Sequence, residues 1–158
     1  MSPGPPEPGA GSLRKHHSDP GFAFSWRTRV YWEDTDAGGV VYHAGYLRFL
    51  ERARTEWMRA AVAGQDALRQ SHGIVFVVRE LDIAYDKPAR LDDELDSTVR
   101  VERLRSASLD IAQTVLRAAD GVTLARARVR VACVDAGTFT PCRIPHEIAA
   151  LIEGNKQA

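Results

Sequence analysis

Only one stretch of this chain carries a helical apolar period long enough to build a core helix. Over residues 44–62, AGYLRFLERARTEWMRAAV, the residues Tyr46, Leu50, Ala53, Trp57 and Ala60 recur at spacings of three and four. Leu47, Phe49 and Met58 widen that stripe, and Arg48, Arg52, Glu56 and Arg59 lie opposite. After a polar linker the chain reads as strand. Ile74–Tyr85 closes on the turn Asp86-Lys87-Pro88, and Asp96–Leu104 and Ser108–Ala118 follow, the second ending in Ala119-Asp120-Gly121. Val122–Val134 is the clearest strand: Ala125, Ala127, Val129, Val131 and Cys133 alternate with Arg126, Arg128 and Arg130, one face apolar and one basic. Upstream, Ser25–Trp32 reads as a first strand with Trp26, Val30 and Trp32 on one face, and Pro145–Ile152 reads as a short terminal helix. One long helix against about five strands, with no β-α-β-α alternation, predicts an α+β fold: an antiparallel sheet packed on a single helix.

Residues 1–24 are of another character. Pro3, Pro5, Pro6, Pro8 and Pro20 are interspersed with Gly4, Gly9, Gly11 and Gly21. Such a segment cannot bury enough surface to offset the entropy of ordering it. The expectation is a disordered tail followed by one domain over residues 25–153, with His16 and His17 solvated rather than metal-bound. The 21 basic residues balance 21 acidic ones, for a formal net charge of zero. This argues against nucleic acid or an anionic membrane as the main partner, because both reward a basic excess. No apolar run approaches the ~18 residues of a membrane span, and the N-terminus lacks the apolar core of a signal peptide. Cys133 and Cys142 make neither a disulfide framework nor a zinc spacing. A reducing cytoplasm is the simplest setting, and Cys133, on the apolar side of its strand, reads as an inert core thiol.

Polar chemistry concentrates between Arg29 and Arg59, where Glu33, Asp34 and Asp36 precede a Gly38-Gly39 pair and His43 stands at the mouth of the long helix. Asp34-Thr35-Asp36 opens like a calcium loop, but Gly38 and Gly45 fall where side-chain ligands are required. An aspartyl-phosphate site also uses an Asp-x-Asp pair, on a parallel core that this chain lacks. The third reading is carboxylate chemistry beside a helix N-terminus. Unpaired N–H groups there would stabilise an oxyanion on a carbonyl carbon, and the glycine pair lets backbone approach a substrate. A thiol with a pKa near ~8.5 leaves without much acid catalysis, so the constellation suffices for thioesters and not for amides.

The string RVYWEDTDAGGVVYHAGYLRFLERARTEW, Arg29 to Trp57, resembles the YbgC-type acyl-CoA thioesterases of the 4-hydroxybenzoyl-CoA thioesterase branch of the hotdog fold. YDKPARLDDEL (Tyr85–Leu95) and VACVD (Val131–Asp135) resemble the same family, and the likeness runs from about residue 27 to 148. It implies a five-stranded antiparallel sheet wrapped around one central helix, and a homodimer or homotetramer with active sites at the dimer interface. It implies an acyl-CoA substrate, no metal or redox cofactor, and hydrolysis to a free acid and coenzyme A. Asp36 takes the place of the family's catalytic carboxylate, as base or as nucleophile. His43 takes the place of the residue whose N–H polarises the thioester carbonyl, and Trp32, Gly38, Gly39, Val40 and Tyr42 fall where substrate is bound. Trp32 stands where family members often carry Tyr, so a role for the phenol is lost; Gly45 stands where Asn or Ser is common and would serve as a helix cap. Glu51, flanked by Arg48, Arg52 and Arg54, reads as a salt-bridged helix residue rather than a second catalytic acid. The row Arg126, Arg128 and Arg130 reads as a solvated or interface surface, with coenzyme A phosphates or acyl carrier protein as the alternative partners. The resemblance also carries a different class of function, a non-catalytic hotdog protein docking acyl carrier protein or a Tol-Pal envelope assembly. The expected location is cytoplasmic, with a peripheral place at the inner membrane in that second reading.

Overall fold

Strands run over Phe24–Arg29 (β1), Ile74–Tyr85 (β2), Glu94–Leu104 (β3), Ser108–Arg117 (β4) and Thr123–Asp135 (β5). They form one sheet in the order β1-β3-β4-β5-β2, with every neighbouring pair antiparallel. The helices are α1 (Tyr46–Ala61), α2 (Gln65–His72) and α3 (His146–Asn155). This computed structural model describes residues 24–156, so residues 1–23 of the expected tail, with His16 and His17, lie outside the described residues, while Phe24 belongs to β1. The architecture is the α+β one expected: five antiparallel strands about one long helix. Among the described residues no helix is long and apolar enough to cross a membrane.

Period-two alternation places the inner face of the sheet. Leu109, Ile111, Gln113 and Val115 of β4 and Ala125, Ala127, Val129, Val131 and Cys133 of β5 are all buried. Against them α1 lays Tyr46, Phe49, Leu50, Ala53, Trp57, Met58 and Ala61. Fully burying a side chain such as Phe49 or Leu50 contributes about 1.5–3 kcal/mol. Two of the three buried clusters lie along α1. One, around its start, gathers Val30, Val41, Tyr46, Phe49, Leu50 and Ala89 and therefore anchors the loop before the helix. The other holds the far end, where α2 and α3 add Leu68, Ile148 and Ile152.

The basic row of β5 is neutralised strand to strand. Arg126 pairs with Asp86 at 2.8 Å, Arg130 with Asp110 at 2.9 Å and Glu80 at 3.4 Å, and Arg128 reaches Glu102 at 3.9 Å. Exposed pairs of this kind contribute less than ~1 kcal/mol each, and they offset part of the charge of the row.

Two expectations are corrected. β1 ends at Arg29, because the chain turns into a 3-10 helix over Trp32–Asp34; Trp32 is thereby rotated out of line with Trp26 and Val30. The linker after α1 contains α2, a helix with a single buried residue, Leu68. It is held by its first side chain: Gln65 donates to the Phe76 C=O at 2.9 Å and accepts the Phe76 N–H at 3.0 Å. Gly73, with φ +64°, then ends it in the left-handed conformation that glycine favours. Gly45 is the N-cap of α1, as expected, and makes no side-chain cap bond. It sits at φ −63°, ψ −28°, inside a 3-10 turn over His43–Gly45 that runs straight into α1.

Candidate active site

Every expected catalytic and substrate-binding residue lies between β1 and α1, and that segment folds as three short pieces. In the first, the turn Trp32–Asp34, Asp34 is buried and structural. Its Oδ2 accepts the Tyr31 N–H at 2.8 Å, and its C=O accepts the Tyr42 N–H at 3.0 Å. Of the three clustered acids this leaves Glu33 and Asp36 facing solvent.

The second piece is a tight hairpin in which Thr35 pairs with Val41. The Asp36 N–H donates to Val40 C=O and the Gly39 N–H to Asp36 C=O, each at 3.0 Å. Gly39 closes the three-residue loop at φ +77°, where any Cβ is strained. The Gly38 N–H donates to Asp36 Oδ1 at 2.8 Å, and a Cβ on Gly38 would stand 3.0 Å from that same oxygen. The glycine pair thus does two jobs: one residue makes the turn, and the other clears the space in which the Asp36 carboxylate is held.

The third piece is the 3-10 turn His43–Gly45, in which the Gly45 N–H donates to Tyr42 C=O at 2.8 Å. The N–H groups of His43 and Ala44 have no acceptor among the described residues. The His43 ring lies 4.6 Å from the Tyr42 ring and meets Tyr85 edge-on at 6.4 Å.

A brace from the sheet side fixes these pieces. The Tyr85 hydroxyl donates to the His43 C=O at 2.7 Å, and the Tyr46 hydroxyl accepts the Ala89 N–H at 2.9 Å. The Val41 N–H donates to Ala89 C=O at 2.9 Å, and Val40 pairs with Arg90. Tyr46, Tyr85 and Ala89 are site-positioning residues that sequence reasoning missed. Their signal is the YDKPARLDDEL stretch, which in sequence gives only a turn and a likeness.

The site is open to water. Asp36, Gly38, Gly39, Tyr42 and His43 are exposed, and Trp32, expected as an aromatic wall, is 80% exposed beside Tyr31 at 62%. A separate cavity of about 110 Å³ opens two turns further along α1, lined by Glu51, Arg54, Thr55, Met58, Phe76 and Val78 among others. At ~1.5 Å per residue, Glu51 lies roughly 12 Å beyond His43. Glu51 accepts a hydrogen bond from Thr55 Oγ1 at 2.7 Å. Among the described residues it makes no contact ion pair with Arg48, Arg52 or Arg54, and in place of the expected salt bridge only its longer-range charge favours the Arg54 cation. Arg54 instead donates to Gln113 Oε1 at 2.8 Å, and burial holds its pKa below the usual arginine value.

The thioesterase-like superfamily model matches residues 30–152. The acyl-CoA thioesterase YbgC of Haemophilus influenzae is 45% identical over 127 residues, covering 80% of this chain and 92% of that protein. The YbgC acyl-CoA thioesterase of Helicobacter pylori is 32% identical, covering 75% and 92%. A probable thioesterase from Bartonella henselae superposes with a TM-score of 0.72 at 35% identity, covering 77% of this chain and 98% of that one. A sheet curled on one helix, with an acid-bearing hairpin at the helix mouth, is in this company a hotdog-fold thioester hydrolase. Within the thioesterase-like superfamily, the chain belongs to the YbgC family.

Proposed function

We propose that this protein hydrolyses acyl-CoA thioesters to a free acid and coenzyme A, with Asp36 as the reacting carboxylate. The observation that carries the reading is the Asp36 hairpin itself, which holds a solvent-facing carboxylate against the Gly38 N–H next to the first turn of the central helix. The unpartnered N–H groups of His43 and Ala44 supply the donors that a developing oxyanion needs. Asp36 either takes a proton from water as that water attacks the carbonyl carbon, or attacks it directly to give a mixed anhydride that water then opens. In both routes the C–S bond breaks and the thiolate leaves without a metal or a redox group. Trp32, Tyr42 and the backbone at Gly38, Gly39 and Val40 contact the substrate around the carbonyl.

Three exposed aromatics, Tyr31, Trp32 and Tyr42, around a site that must exclude water support a second copy closing over it, in a homodimer or a tetramer of two such pairs. A cytoplasmic location belongs to the same reading. The test is free-thiol release from short, long and aromatic acyl-CoAs and from acyl-loaded acyl carrier protein. Wild type should release thiol, and Asp36→Asn should lose at least about a thousandfold in kcat with unchanged circular dichroism and assembly. Near wild-type turnover by the variant overturns the assignment of Asp36. No release from any substrate overturns the hydrolase and leaves a protein that binds acyl carriers.

A further inference from the structure

Hydrolysis at Asp36 leaves two thiols unused. Cys133 lies on the inner face of β5, 0% exposed, and Cys142 lies half-buried on the segment that returns beside the end of that strand. Their sulphurs are 3.7 Å apart.

Backbone structure sets that approach. Val134 pairs with Pro141, the Cys142 N–H donates to Cys133 C=O at 3.0 Å, and the Asp135 N–H donates to Thr140 C=O at 2.9 Å. The turn between is closed by Asp135, whose Oδ1 accepts the N–H groups of Gly137 and Thr138, each at 2.9 Å. A disulfide needs a sulphur separation of about 2.05 Å, and the backbone pairing already holds the two sulphurs side by side. Access differs between the two. Cys142 is partly exposed, whereas Cys133 is sealed within the core.

We propose that Cys133 and Cys142 are an oxidative modification site, closing to a reversible intrachain disulfide when a hydroperoxide reaches Cys142. The Cys142 thiolate attacks the peroxide, the O–O bond breaks, and Cys142 becomes a sulfenic acid with release of water or an alcohol. The Cys133 sulphur then attacks the Cys142 sulphur: the S–S bond forms, the S–O bond breaks, and the Cys133 proton departs with the hydroxyl as water. Two thiols are oxidised and one peroxide is reduced. Burial in apolar surroundings, reinforced by the contact with Cys142, pushes the Cys133 thiol up to about 12. It therefore stays protonated at neutral pH, and the partly exposed Cys142 is the sulphur that meets the peroxide first. The bond would tie β5 to the segment leading into α3, whose Ile148 and Ile152 are in the core.

The experiment uses the full chain, reduced and then exposed to hydrogen peroxide. Expected are an intact mass lower by two hydrogens, loss of both thiols to titration in denaturant, a Cys133–Cys142 cross-linked peptide, and reversal by dithiothreitol. The melting temperature of the oxidised chain should rise by roughly 5 °C, because a short loop is closed in the unfolded state. Cys142→Ser should abolish the two-hydrogen loss. Cys133→Ala should leave Cys142 as a sulfenic acid that a dione probe traps. Two thiols still titratable after treatment, oxygen adducts without cross-linking, or disulfides only between chains would each overturn the proposal.

Discussion

Gln113 is the residue whose removal the structure prices most clearly. It is 1% exposed on the inner face of β4. Its Nε2 donates to the C=O of Thr98 and of Leu50, each at 3.1 Å, and its Oε1 accepts from Arg54. The Thr98 carbonyl is free for this because the Thr98 hydroxyl takes its place in the ladder, accepting the Thr114 N–H at 2.9 Å. Gln113→Leu keeps the volume but orphans the Thr98 carbonyl, at about 1–3 kcal/mol, and strips a charge-assisted bond from Arg54, at about 1.5–3 kcal/mol. Allowing for water reaching the partly exposed Arg54, the expected loss is about 3 kcal/mol. For a chain of this size that is a fall in Tm of roughly 6–12 °C. Removing both partners should hurt less than the sum: Arg54→Met in the Gln113→Leu background removes a half-buried cation that has lost its hydrogen-bond acceptor, and the coupling should be at least about 1 kcal/mol. The assay is urea unfolding of the four proteins at one fixed protein concentration. A Gln113→Leu loss below 1 kcal/mol, or additive single losses, would show that the amide does not tie α1 to β3.

Two further outcomes follow. Gly39→Ala meets no atom within 4 Å of the added Cβ, so its cost is the left-handed backbone alone, about 1 kcal/mol; Gly39→Asn, which tolerates that conformation, should cost less than half as much in the same unfolding experiment, and equal losses would refute the backbone account. On the acid side, the N–H of Thr138 and then of Gly137 holds Asp135 below the usual carboxylate range, and Arg130 followed by Arg105 does the same for Asp110. A depressed carboxyl contributes stability that is complete above its unfolded value near ~4 and is lost as pH falls through the lower folded value. Thermal melts from pH 6 to pH 2 should therefore decline below about pH 4, and the decline should be shallower in Asp135→Asn and Asp110→Asn.

What was legible in the sequence and what was not divides by the range of the interaction. The helix α1 and strands β2 to β5 carry their own periods, so each could be read from ten or so residues. The hairpin at Asp36 is equally local: its turn, its left-handed Gly39 and the Gly38 contact to the carboxylate all fall within five residues. Trp32 was misplaced because the strand's alternation continues in the sequence past Arg29, while the buried Asp34 has already bent the chain. α2 was invisible because one apolar anchor, Leu68, makes no period, and its other anchor is a side chain bonded to a strand eleven residues away. The brace from Tyr85 to His43 spans 42 residues, and the tie from Gln113 to Leu50 spans 63. A polar residue at an inner position between Ile111 and Val115 signals that some such tie exists, but its partners are chosen by the packing of α1 on the sheet. Local chemistry therefore places a carboxylate at the helix mouth, and only the assembled sheet determines how firmly that mouth is held.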